Sequence, residues 1–269
     1  MKYINISNFY KLGQQLQQLS ELAPGKPLKD YYFTLLVAES WVDFFINDEM
    51  IPMTVCKGAA IKISDSIKRV APRAQEEREK LDMEREVSYM DLYGIIEGAK
   101  EFEIVFSAEA QNMATYFVSK KGIYDTNDLV LKADNLLTDA VKDLISDEAK
   151  TDIREAGRCL AFDLATAAGF HIARAVERVL IDYLKVLCPD KINNLNDGQR
   201  NLGGYIKLAK DNGCEARVCN SLDQFRELHR NPLMHPEAVL TIDEAIVLLG
   251  IAQSAIVSTA TEISKLSSS

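Results

Sequence analysis

Apolar residues that return every three or four positions, stretch after stretch, constrain this chain more than any other feature. Between residues 5 and 21, Ile6, Phe9, Leu12, Leu16 and Leu19 keep that spacing, with Gln14, Gln15, Gln17 and Gln18 among them. A repeat near 3.6 puts such residues on one side of a helix, and a helix with one apolar side must bury it against a neighbour. The spacing therefore predicts helix packed on helix. Ala23-Pro24-Gly25-Lys26-Pro27 ends the first helix, because proline and glycine punctuate regular structure. Residues 28 to 47 are almost continuously apolar and predict a mostly buried helix in which Trp41 packs. Glu39 and Asp43 lie four apart on it, as a solvated face or an acidic pair.

After Ile51-Pro52-Met53 a further helical segment runs to Val70 and is interrupted at Ala71-Pro72. Residues 74 to 100 are dense in charge, with an apolar seam at Leu81, Tyr89, Leu92, Ile95 and Ile96, which predicts an exposed helix. Phe102, Ile104 and Phe106 then alternate, and Thr115-Tyr116-Phe117-Val118 favours strand. With the turn at Lys120-Lys121-Gly122 they predict a small strand pair.

From Asp125 onward the pattern is helical without exception. Asp125 to Asp128 offers cap chemistry, and a long run from near Asp152 to Leu187 ends at Cys188-Pro189. A shorter helix over residues 199 to 211 closes at Asn212-Gly213, and residues 215 to 230 carry a stripe of Val218, Leu222, Phe225 and Leu228. Thr241-Ile242-Asp243-Glu244 is a capping-box pattern in front of an apolar last helix. The expected architecture is mainly α. Residues 126 to 269 form an antiparallel helical bundle with Leu160, Phe170, Val176, Leu222, Phe225, Ile246 and Leu249 in its core. Residues 1 to 125 form a largely helical region with the strand pair.

Composition narrows the function classes. The 269 residues are 47% hydrophobic and 26% charged, an ordinary soluble balance with enough chain for two domains. No apolar run long enough to cross a bilayer is expected, and the first residues lack a secretory pattern. Five cysteines without a framework favour a reducing, cytoplasmic setting. Cys214, Cys219 and the three histidines lack the short spacing of zinc ligands, so neither metal nor cofactor is expected. A net charge of −9 opposes broad, non-specific binding of nucleic acid and leaves room for a local basic site.

One stretch carries chemistry. Two of the three histidines, His229 and His235, lie within residues 223 to 235, and Arg230-Asn231-Pro232-Leu233-Met234-His235 sets a permanent cation and an imidazole on either side of a proline. Proline has no N–H and disfavours helix before it, so Asn231 is expected at or beyond a helix end. Basic residues there suit the helix dipole and the last free carbonyls. They also suit phosphodiester cleavage, in which arginine braces a phosphate and histidine moves a proton.

The region from about 150 to 265 resembles a HEPN domain (higher eukaryotes and prokaryotes nucleotide-binding), the helical bundle of RNA-cleaving toxins and antiviral defence effectors. Arg230, Asn231 and His235 match its arginine, polar residue and histidine with a four-residue gap, and residues 170 to 177 resemble the first core helix of many bacterial members. The resemblance implies a metal-independent endoribonuclease, a hydrolase whose two protomers face their motifs across a homodimer. In it His235 would be the acid/base, Arg230 would hold the scissile phosphate, and Asn231 would orient the arginine or donate to a phosphate oxygen. The product would be a 2′,3′-cyclic phosphate. Arg174, Glu177 and His171 are candidate supporting residues, with an exposed ion pair to Arg178 as the structural alternative for the first two and a core histidine for the third. The implied partners are RNA, a second copy of the chain and a protein partner or antitoxin, with no membrane. The other reading is an inactive HEPN-like dimerisation and interaction module, which the acidic balance suits.

Overall fold

Among the described residues every regular element of the computed structural model is helical, and the chain divides into two units, Met1–Tyr116 and Phe117–Ser269. The structure describes residues 5 to 48, 51 and 53 to 267. The break expected at Pro52 and the N-terminal stretch read for a secretory pattern lie outside the described residues, in the second case for residues 1 to 4.

In the first unit α1 (Ile6–Ser20), α2 (Leu28–Asn47), α3 (Val55–Val70) and α5 (Tyr89–Gln111) share one core, while the single turn α4 (Gln75–Arg78) buries nothing in it. Three details depart from expectation. Residues 74 to 100 are not one helix: the chain leaves helix after Arg78 and restarts at Ser88, whose side chain and that of Asp91 form a capping box. Glu39 is not on a solvated face but 1% exposed, in an ion pair with Arg73. Its burial, and Asp43 beside it, push the Glu39 carboxyl up. The predicted strand pair is absent among the described residues. Phe102, Ile104 and Phe106 all lie in α5, where Phe102 and Phe106 stack at 5.5 Å and Ile104 faces out. Residues 115 to 118 have no regular structure, and Lys121 and Tyr124 form an isolated bridge.

The second unit begins with short pieces: α6 (Thr126–Leu131), capped by the Asp125 side chain, a 3-10 turn (Ala133–Leu136) and α7 (Asp139–Lys142). The run expected from Asp152 to Leu187 is two helices, α8 (Asp147–Ala161) and α9 (Ala165–Leu187). They turn back on each other at Asp163, which takes φ 60, a left-handed conformation that asparagine and aspartate tolerate better than most residues. Lys121 Nζ grips both carboxylate oxygens of Asp163 at 2.7 and 2.8 Å and holds the turn. So short a connection makes α8 and α9 an antiparallel hairpin.

The remaining elements are α10 (Pro189–Asn193), a 3-10 turn (Asp197–Gln199), α11 (Leu202–Asp211), α12 (Ala216–Phe225), a π-helical turn (Arg226–Arg230), α13 (Asn231–Leu233) and α14 (Ile242–Ser267). Gly213, at φ 85, closes α11 as its sequence suggests. Thr241 and Glu244 cap α14 reciprocally, with Thr241 N–H and Oγ1 donating to the carboxylate at 2.7 and 2.8 Å. Of the seven expected core residues, Leu160, Val176, Leu222, Phe225 and Leu249 are buried and Ile246 is half-buried, but Phe170 is 39% exposed. Contrary to expectation, α14 is long and apolar enough to cross a bilayer by length and composition, but it spends one side, from Ala245 to Ile263, in this core. Helix α9 is central: α8, α11, α13 and α14 all pack on it.

Candidate functional site

The segment from Arg226 to His235 owes its shape to a helix that does not stop where proline should stop it. The N–H of Asn231 donates to the carbonyl of Arg226, five residues back, and this wider turn gives Pro232 room. Asn231 is therefore helical (φ −65, ψ −47), not at a helix end as the sequence suggests. Helical turning continues to Leu233, where the N–H of Met234 finds the carbonyls of Arg230 and Asn231 at 3.3 and 3.2 Å and that of His235 finds Pro232 at 3.1 Å.

Leu233, 2% exposed, pins this segment to α9. A methyl group at Gly169 would lie 2.7 Å from Leu240 Cδ1 and 3.0 Å from Leu233 Cδ2, so only glycine lets both leucines approach this closely. The N–H of Leu240 donates to Thr166 Oγ1 at 3.1 Å, closing the far end of the loop. The small-residue run before Phe170 thus receives the motif's own loop.

Arg230 is half-buried, while Asn231 and His235 are exposed. Arg230 acts on Glu177 of α9: burial pushes the Glu177 carboxyl up, and the Arg230 and then the Arg178 guanidinium oppose that rise. Burial, then the Glu177 charge, raise the Tyr205 phenol on α11. Arg230 on the π turn and Tyr205 on α11 each lie within electrostatic reach of Glu177 on α9. His229 lies against Phe225 with ring centroids 6.1 Å apart.

The other candidate supporting residues go elsewhere. His171 and Arg174 face α8, where Asp152 is 3% exposed. Asp152 Oδ1 is 3.0 Å from His171 Nδ1 and 3.4 Å from Arg174 Nε, and Oδ2 accepts from Arg178 Nε at 2.6 Å. Arg174 and Glu177, read as sharing a face, are thus split between two neighbourhoods, and Arg178 pairs with Asp152. Asp152 was missed in the sequence. Its signal was an acid in the apolar register of Ala149, Ile153, Ala156 and Leu160, opposite a basic stripe spaced 171, 174 and 178.

No family model and no solved structure matches the chain. It is similar to the DNA replication ATP-dependent helicase/nuclease DNA2 of Saccharomyces cerevisiae, with 26% identity over 182 residues, covering 62% of this chain. The match spans 11% of the length of that protein.

Proposed function

We infer that this chain is a metal-independent endoribonuclease of HEPN type, working in the cytoplasm as a homodimer with a composite site. The observation that carries the reading is the Arg230 to His235 segment: a half-buried arginine on a widened helical turn, then an exposed histidine, fixed to α9 through Leu233 and Leu240. In the reaction His235 takes the proton of the ribose 2′-hydroxyl or returns one to the leaving 5′-oxygen. The Arg230 guanidinium meets the charge growing on the phosphate, and Asn231 donates to a phosphate oxygen. Attack by the 2′-oxygen breaks the bond to the 5′-oxygen and leaves a 2′,3′-cyclic phosphate. Glu177 lies within electrostatic reach of Arg230 and adds negative charge beside it. The nuclease in the name of the similar DNA2 protein is consistent with phosphodiester chemistry. Five free cysteines agree with a reducing compartment.

Leu228 and Val239 on either side of the motif and Met234 within it, all exposed, favour a contact with another protein surface. They suit the homodimer, and equally a second reading in which the bundle is an interaction module without turnover, bound to an antitoxin or another partner. Purified protein incubated with mixed single-stranded RNA in EDTA separates the two. Cleavage leaving cyclic phosphate ends supports the nuclease. Intact RNA with a stable dimer would replace it by the interaction module.

A further inference from the structure

We propose that His171, Arg174 and Arg178, gathered on Asp152, form a second anion site that takes a phosphate group, as inorganic phosphate or the terminal phosphate of a nucleotide. The site does not depend on the nuclease reading. At 100° per residue, Arg178 comes round to about 180° from Gly169 on α9, so the cluster faces away from the loop that carries Arg230 and His235.

The case rests on an excess of cation over what fastening two helices needs. Asp152 is nearly sealed from water, and a buried carboxylate requires a partner. Arg178 at 2.6 Å and His171 at 3.0 Å already supply one partner to each oxygen. Arg174 adds a third partner at 3.4 Å, too long for a good charge-assisted hydrogen bond, and its side chain is 57% exposed. Arg174 and Arg178 are also like charges four apart on one helix, a spacing that costs stability. One carboxylate cannot neutralise both arginines; Arg178 also lies within electrostatic reach of Glu177, whereas the ion pair of Arg174 among the described residues is the long one to Asp152, so the excess charge sits on Arg174.

A phosphate matches what is left over. Guanidinium groups pair with its oxygens at two points, and the carboxylate that fixes His171 through Nδ1 leaves Nε2 as the imidazole's free position. Asp152 is then the positioning residue, and Arg174, with most of its surface open, is the group that meets the ligand.

The test uses the full chain. With three histidines, imidazole NMR signals are few, and a His171→Gln spectrum assigns that of His171. Inorganic phosphate is titrated against a chloride control of equal ionic strength. Saturable movement of the His171 signals is expected, and Arg174→Ala, at an exposed position, should weaken binding at least about tenfold, the scale of one lost charge-assisted hydrogen bond. Uridine 5′-monophosphate against uridine tells the sources apart. Tighter binding of the nucleotide than of free phosphate points to a nucleotide end, and the reverse to the free ion. His171 signals that follow only ionic strength would overturn the proposal. So would an Arg174→Ala protein that binds as the wild type does, or uridine binding as well as its monophosphate.

Discussion

Leu233→Ala should loosen the Arg230 to His235 segment without unfolding the second unit. Leu233 is 2% exposed and sits in α13, which is too short to stand on its own hydrogen bonds. Truncating a buried leucine removes its transfer energy and leaves a cavity, together about 2–5 kcal/mol. Asn231, Pro232, Met234 and His235 are all exposed, so the loop can settle into the vacated space, which places the cost near the lower end, about 2–3 kcal/mol. For a unit of this size that corresponds to a fall in Tm of roughly 4–12 °C. Hydrogen exchange supplies the local readout. The amides of Met234, His235 and Ala238 donate to carbonyls inside the segment, and that of Leu240 donates to Thr166 Oγ1. All four should exchange faster in the variant while those of Val176 and Leu180, in the buried face of α9, stay protected. Unchanged exchange at these four amides together with an unchanged Tm would refute the anchoring argument.

Three further outcomes follow from particular contacts. Gly157→Ala should destabilise the second unit, because the new methyl would lie 2.2 Å from Ala133 Cβ and 2.7 Å from the Leu129 carbonyl oxygen; overpacking of about 1–3 kcal/mol exceeds the ~1 kcal/mol that alanine gains in helix propensity. A higher urea midpoint for the variant would contradict this. Glu109 accepts from the amides of Thr54, Val55 and Cys56 at 2.6, 3.1 and 2.9 Å, and these donors outweigh the upward push of burial, drawing its carboxyl from 4.5 down to about 2. A lowered folded value means stability present above 4.5 and lost as pH falls towards 2, so thermal melts should weaken across that window and Glu109→Gln should flatten the trend. In the nuclease reading, Arg230→Lys should cut RNA cleavage severely, because an ammonium cannot reproduce the two-point planar grip on a phosphate; full activity in a cleavage assay would count against that role.

Local chemistry was the legible part of this fold. Asp125, Thr241 with Glu244, and Asn212-Gly213 are helix ends written within four residues, and each stands where its side chains put it. Alternation at Phe102, Ile104 and Phe106 misled because three positions fit a period of two as well as of 3.6; only the stacked Phe102 and Phe106, one turn apart, reveal the helix. Pro232 misled because a π turn relieves the clash that ends most helices. The hairpin at Asp163 depends on Lys121, forty-two residues away, and Asp152 meets His171 only because that hairpin folds α9 back along α8. Contacts set by tertiary register leave no short motif in the sequence. The site was therefore legible as a segment, Arg230 to His235, but the separate gathering around Asp152 was not.

The most direct measurement is the rate at which wild type and His235→Ala cleave single-stranded RNA in EDTA, with both melting curves recorded. His235 is exposed, so the melting curves should coincide, while loss of a positioned acid/base should lower the rate by about 10²–10⁴. Cleavage that survives in His235→Ala at the wild-type rate would contradict the assignment, and so would a variant that loses activity only because it unfolds.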